Sequence, residues 1–150
     1  MNSEKLTAYG PLPIRIVAGI AFMVYGLPKL SSIPATQNLF SHMMGLPAAM
    51  ALPIGLLEVI GGIAILTGIL TRITAILFII EMIGATIIIL PNGFVHGYDL
   101  NLLSLSISAS LVLTGPGKVS IEWDILKREI FPKGKQIIMR NKKALEETSI

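Results

Sequence analysis

The sequence predicts an all-α integral membrane protein, a four-helix bundle with spans at about residues 12–30, 52–70, 72–90 and 99–114. Three observations carry this expectation. Of the 150 residues, 53% are hydrophobic and only 14% charged, and the mean hydropathy is +0.75. A soluble domain needs far more polar surface than that. The apolar residues also fall in runs close to the ~20 residues that cross a bilayer. Finally, Gly, Pro and charged residues separate the runs, as expected of a polytopic chain. Residues 1–150 form a single membrane domain, with 1–117 making the bundle and 118–150 a surface tail.

The first span, Leu12–Leu30, is entered through Pro11 and Pro13, which suit a helix start. It ends in Gly26-Leu27-Pro28-Lys29 rather than in a small-residue cleavage site after a short apolar core, so a retained helix is expected. Arg15, Gly19, Phe22, Gly26 and Lys29 fall on one helical face. Small residues between two cations make a packing face with a polar purpose. The alternative is that both cations snorkel to the two interfaces. Ser31–Pro47 is too polar to span, and Thr36–Met44 is expected to form a short amphipathic helix at the membrane surface, stopped by Gly45 and Pro47. His42 there is a candidate proton group, although a lone loop histidine is usually neither carrier nor ligand.

The second and third spans are LPIGLLEVIGGIAILTGIL and TRITAILFIIEMIGATIIIL, and each holds one carboxylate, Glu58 and Glu81. A charge near the middle of a membrane helix costs at least ~2.5–3.5 kcal/mol, so each acid needs compensation. Gly55, Glu58 and Gly62 share a side, which keeps Glu58 on a face where backbones approach closely. Thr74, Glu81 and Ala85 share a face of the third span, and the axial rise puts Glu58 and Glu81 within roughly one turn in depth. Leu90–Tyr98 has the Pro, Gly and Asn content of a loop. Asn101, Ser104 and Ser108 then line one face of the fourth span, while Ser106 and Ser110 face elsewhere. In the basic tail, Glu122–Phe131 and Gln136–Glu146 are expected to be amphipathic surface helices, anchored by Trp123 and Phe131.

Lys and Arg concentrate in the tail and, with Arg72, in the second connection. The positive-inside rule therefore predicts a multi-pass plasma-membrane protein with both termini cytoplasmic. The net charge of +3 reflects this asymmetry and gives no nucleic-acid signal. Lys29 and Asp99 then lie towards the outside, and Glu58 is nearer in depth to Lys29 and Tyr25 than to Arg15. A ligand-binding or proton-carrying pocket of Tyr25, Lys29, Glu58, Asp99 and Asn101 is expected in the outer half, beside an intramembrane charge network of Arg15, Glu81 and Arg72. The absence of cysteine excludes disulfides, thiolate metal sites, iron–sulfur ligation and a Cys nucleophile. No His pair at ligand spacing and no dinucleotide Gly motif is present, so no metal site and no redox centre of its own are expected.

Over roughly Ile14–Glu122 the chain resembles the DoxX/DoxD-like family of small four-helix membrane proteins. The resemblance is carried by Arg15 with Gly26-Leu27-Pro28-Lys29, by Phe40 with Gly45-Leu46-Pro47, and by Glu58 with Gly61-Gly62, Gly68 and Arg72. It continues through Asn92-Gly93-Phe94, Gly97-Tyr98-Asp99 and the closing GPGKVSIE at Gly115–Glu122. Asp99 stands where the family more often has Glu, Glu122 where it more often has Asp, and Glu81 lies outside the family pattern. The resemblance implies that Arg15, Lys29, Glu58, Arg72 and Asp99 are motif positions. It also implies an association with quinone-linked redox systems, since some relatives are subunits of a thiosulfate:quinone oxidoreductase or accompany quinol oxidases. The expected role is an accessory subunit with quinone or quinol as cofactor, at most one part of an oxidoreductase, working with a partner subunit or as a homo-oligomer. The alternatives are a non-catalytic assembly or stabilising subunit and, less favoured, a small-solute carrier. Four short helices without an evident inverted repeat leave little room for alternating access.

Overall fold

The computed structural model describes residues 9–117 and 119–121, and these form an all-helical membrane bundle. The chain order is α1 (Pro11–Ser31), α2 (Ile33–Asn38), α3 (Ala51–Thr67), α4 (Thr71–Ile89) and α5 (Asp99–Thr114). Pro11–Ser31, Ala48–Thr67 and Thr71–Asn92 are long and apolar enough to cross a membrane, and Asp99–Thr114 is a shorter apolar helix. The predicted surface helices of the tail, with Trp123 and Phe131, lie outside the described residues.

The helices pack as two antiparallel pairs, α1 with α3 and α4 with α5, with sparser contact between the pairs. Glycine brings the first pair together. A Cβ on Gly19 would lie 2.7 Å from the Gly62 carbonyl oxygen, and one on Gly62 would lie 2.7 Å from that of Gly19. One turn or two further on, a Cβ on Gly26 would meet Glu58 Cβ at 2.7 Å. The pairs meet where the Phe22 and Phe78 rings stack, centroids 3.6 Å apart and planes 10° off parallel. Gly61 makes room for this, since its Cβ would lie 2.7 Å from Phe78 Cζ. Ile65, Ala75 and Leu111 complete a fully buried layer beside the stack. The other faces carry Val17, Ile60, Ile80 and Leu103, all well exposed, as lipid-facing residues should be.

The first connection carries the short helix expected there, whereas the third is more wound than the loop the sequence suggests. After α1 the chain re-enters a helix at Ile33 and continues through a π-type turn, Leu39–Met43, before Gly45 ends it at φ +65°. His42, in that turn, is exposed. Leu90–Tyr98 is mostly wound as well, with a 3-10 turn at Leu90–Asn92 and a π-type turn at Phe94–Tyr98 that runs straight into α5. The reason is solvation, because backbone groups near lipid must bond internally. The winding also supplies the length that the 16 residues of α5 lack.

Candidate functional site

Lys29 stands in the last turn of α1, where Pro28 is accommodated inside the helix. The junction behind it is tied down, because the buried Thr36 hydroxyl donates to the Lys29 carbonyl (3.0 Å) and to that of Ser32 (3.1 Å). The lysine stem passes Gly55, whose Cβ would lie 3.4 Å from Lys29 Cβ. Its ammonium then reaches Glu58 of α3 and bonds both carboxylate oxygens at 2.6 Å. The Glu58 side chain is 4% exposed and that of Lys29 is 28% exposed. The acid is therefore enclosed, and the cation closes its open side.

Glu81 of α4 approaches the same pair. Its carboxyl lies close to that of Glu58 and within electrostatic range of Lys29. Its Oε2 is buried without a partner among the described residues. Glu58 is seven residues into α3 and Glu81 eight from the end of α4, so both lie roughly 10–12 Å inside the end of the bundle that bears α2. One ammonium and two carboxyls in an apolar setting can hold, share and pass a proton, because the charge of either acid depends on the other two groups.

Arg15 lies at the opposite end and does not snorkel. It is 1% exposed. Its Nε donates to the Ile65 carbonyl (2.9 Å) and Nη2 to that of Leu66 (2.9 Å), while Nη1 donates to those of Pro116 (2.7 Å) and Val119. The carbonyls of Ile65 and Leu66 lie in the last turn of α3, where cations are favoured. Gly68 ends that helix at φ +77°, and a Cβ on it would collide with the guanidinium. The guanidinium of Arg72 packs against Gly115 at the end of α5, where an added Cβ would lie 3.0 Å from its Nε. Arg15 and Arg72 thus serve the end that carries the chain termini, whereas Glu81 serves the Lys29–Glu58 site.

One pocket residue takes another position than expected. Tyr25 is 55% exposed on the flank of α1, pointing away from the bundle interior. It precedes Gly26 by one residue, about 100° around the helix, so it matches Glu58 in depth but not in direction. Asp99 and Asn101 open α5, and the buried Asp99 Oδ1 and Asn101 Nδ2 have no hydrogen-bonding partner among the described residues. Periodicity alone did not single out Thr36 or the carbonyl cage of Arg15. The Gly68 and Gly115-Pro116-Gly117 breaks were the signals for that cage, since they mark exposed helix-end carbonyls.

The DoxX family model matches residues 10–91. The chain belongs to the DoxX family. Among relatives, "Putative oxidoreductase CatD" of Bacillus subtilis is 35% identical over 125 residues, 83% of this chain and 92% of CatD. "Inner membrane protein YqjF" of Escherichia coli is 36% identical over 124 residues, covering 79% of this chain and 94% of YqjF. "Uncharacterized membrane protein Rv3486" of Mycobacterium tuberculosis is 29% identical over 142 residues, 82% of this chain and 87% of Rv3486. No solved structure matches the chain. This DoxX-family chain is a membrane protein, in keeping with its apolar helices and with the names of YqjF and Rv3486.

Proposed function

We propose that this DoxX-family protein is an accessory membrane subunit of a quinone-linked redox system and that its Lys29–Glu58 pair holds the quinone head. The observation that carries the reading is the bidentate pair itself, a buried carboxylate whose partner ammonium is still 28% exposed. A quinone head needs a donor to its carbonyl oxygens when oxidised and an acceptor for its hydroxyls when reduced. Lys29 is such a donor and Glu58 such an acceptor, and the unpartnered Glu81 Oε2 beside them adds a further polar atom. The residues present fit the group. When bound, a quinone supplies two-electron, two-proton chemistry that no side chain of this sequence offers. Lys29 orients the oxygen it bonds, Glu58 takes or returns a proton at its carboxylate, and the apolar faces of α1 and α3 keep bulk water away. The name of CatD as an oxidoreductase points the same way. Electrons come from a partner chain, and with both termini cytoplasmic the site lies in the outer half of the plasma membrane.

One observation favours a second reading, that of an assembly or stabilising subunit. The described bonds of Arg15 run to backbone carbonyls of neighbouring segments, and the Lys29–Glu58 pair would then be a second register device. Mass spectrometry of lipid-soluble molecules carried by the purified protein separates the two. The quinone reading expects co-purified quinone, reduced at least tenfold in Glu58→Gln while helicity is unchanged. Wild-type protein free of quinone, with Glu58→Gln failing to fold, would establish the assembly reading instead.

A further inference from the structure

Apart from the Thr71 hydroxyl at the start of α4, buried side-chain atoms without partners among the described residues recur along one seam of the bundle. On α4, Glu81 Oε2 is buried and unpaired among the described residues, and on α5 so are Asn101 Nδ2 and Ser108 Oγ, with Ser108 0% exposed. Asn101, Ser104 and Ser108 share the face of α5 that turns inward, opposite the exposed Leu102, Leu103 and Leu113. Ser106, on the outer side, has satisfied itself by donating to the Leu102 carbonyl at 2.8 Å, as an isolated serine in a membrane helix does. Ser108 has not. Each buried donor or acceptor left unsatisfied costs about 1–3 kcal/mol, and in native proteins such groups are bonded to something.

Their depths form a series. Counted from the bundle end that bears α2, Asn101 is roughly 3 Å in, Ser104 roughly 7 Å, Glu81 roughly 12 Å and Ser108 roughly 14 Å. Hydrogen-bonded waters with side chains as additional partners span such intervals, and water occupies a site that offers both several polar atoms and the room for it. The series stops at Ser108 for a visible reason. Phe78 lies seven residues into α4, and Ser108 seven residues before Gly115, so both stand about 10 Å from the other end. The Phe22–Phe78 stack fills that layer, and the fully buried Ile65, Ala75 and Leu111 close the space beyond it. Beyond it, Arg15 knits α3 to the segment after α5.

We propose that a blind-ended file of water runs along the α4–α5 seam from the α2 end of the bundle, past Asn101 and Ser104 to Glu81 and Ser108. It gives the Lys29–Glu58 site aqueous contact with that end alone. This rests on the reading of that site as one that handles protons, and it adds where those protons come from. Because the Glu81 carboxyl is close to that of Glu58, a proton delivered to Glu81 is one step from the ion pair. The aromatic layer keeps the path from becoming a leak across the membrane.

The chain has no cysteine, so single-cysteine variants of the full-length protein can be followed without background. In proteoliposomes, Asn101→Cys, Ser104→Cys and Ser108→Cys are exposed to silver ion, and the thiols that survive are counted with a maleimide after unfolding. Leu103→Cys on the lipid face and Leu111→Cys beyond the aromatic layer serve as references. The three seam thiols are expected to react at least tenfold faster than either reference. Seam thiols no faster than Leu103→Cys would overturn the proposal, as would Leu111→Cys reacting as fast as Ser108→Cys. Three independent positions protect the test against one variant that fails to fold. Quinone content of the same wild-type preparation separates the two readings, since a dry seam in a quinone-carrying protein sinks only the water path. A wet seam without quinone sinks only the ligand.

Discussion

Replacing Arg15 by methionine keeps the length of the side chain and removes its fork. At least four donor contacts are lost at once, to the carbonyls of Ile65, Leu66, Pro116 and Val119. A hydrogen bond to a charged group is worth about 1.5–3 kcal/mol net. The four are not additive, because the burial cost of the guanidinium disappears with them, and removing one member of a buried charged cluster typically costs about 3–5 kcal/mol. We therefore expect Arg15→Met to lose about 3–5 kcal/mol, a fall in Tm on the order of 10 °C by the scaling of domains of this size. Arg15→Lys keeps the charge but offers a single nitrogen, which cannot reach carbonyls on two separate segments in the planar geometry of the fork. It should recover less than half of the loss. Thermal unfolding in one detergent, followed by helicity, measures all three proteins. Arg15→Met melting with wild type would refute the claim that this residue holds the termini end together. Full rescue by lysine would refute the role of the fork.

Two further predictions use the same assay. Gly19→Ala is expected to cost about 1–3 kcal/mol, because its Cβ would press on the Gly62 carbonyl at 2.7 Å and backbone cannot step aside. Gly84→Ala should instead be neutral or gain about 0.5–1 kcal/mol, since nothing lies within 4 Å of the added Cβ and alanine is the better helix former. Equal losses at the two positions would refute the close approach of α1 and α3. Lys29→Met and Glu58→Leu are each expected to destabilise by about 3–5 kcal/mol, and the double variant by clearly less than either alone, because no uncompensated charge stays buried. Additive losses would mean that the two residues do not act as a pair.

The spans were legible because their signal is length and apolarity, and Pro, Gly and charge mark their limits. The observed Pro11–Ser31 and Thr71–Ile89 differ from expectation by a residue or so at each end. The stripe Arg15, Gly19, Phe22, Gly26 and Lys29 was legible as a face, and four of the five are buried. What the stripe touches was less so. Periodicity says which side of a helix is inward, but the bonds of Arg15 go to backbone oxygens, which every residue has and no residue type advertises. Tyr25 shows the complementary error. Matching residues by axial depth ignores direction, and one step along a helix from Gly26 turns the side chain onto the outer flank. Glu81 was placed correctly in depth, and its closeness to Glu58 follows from the tight Gly68–Leu70 turn, where even Leu70 adopts φ +51°.

The two ends of the bundle use their polar groups differently. At the termini end the described bonds tie segments together, Arg15 to four carbonyls and Ser120 to the Gly117 carbonyl at 3.1 Å, while the buried Thr71 hydroxyl has no partner among the described residues. At the other end polar atoms are left over, on Glu81, Asp99 and Asn101, although an apolar residue at any of these positions would cost nothing in desolvation. Of these, Glu81 lies beside the pair in which an ammonium already neutralises one carboxylate, so stability gives no reason to keep it there. Chemistry does, because a group that must bind or release a proton or a polar head cannot be fully bonded to its own protein.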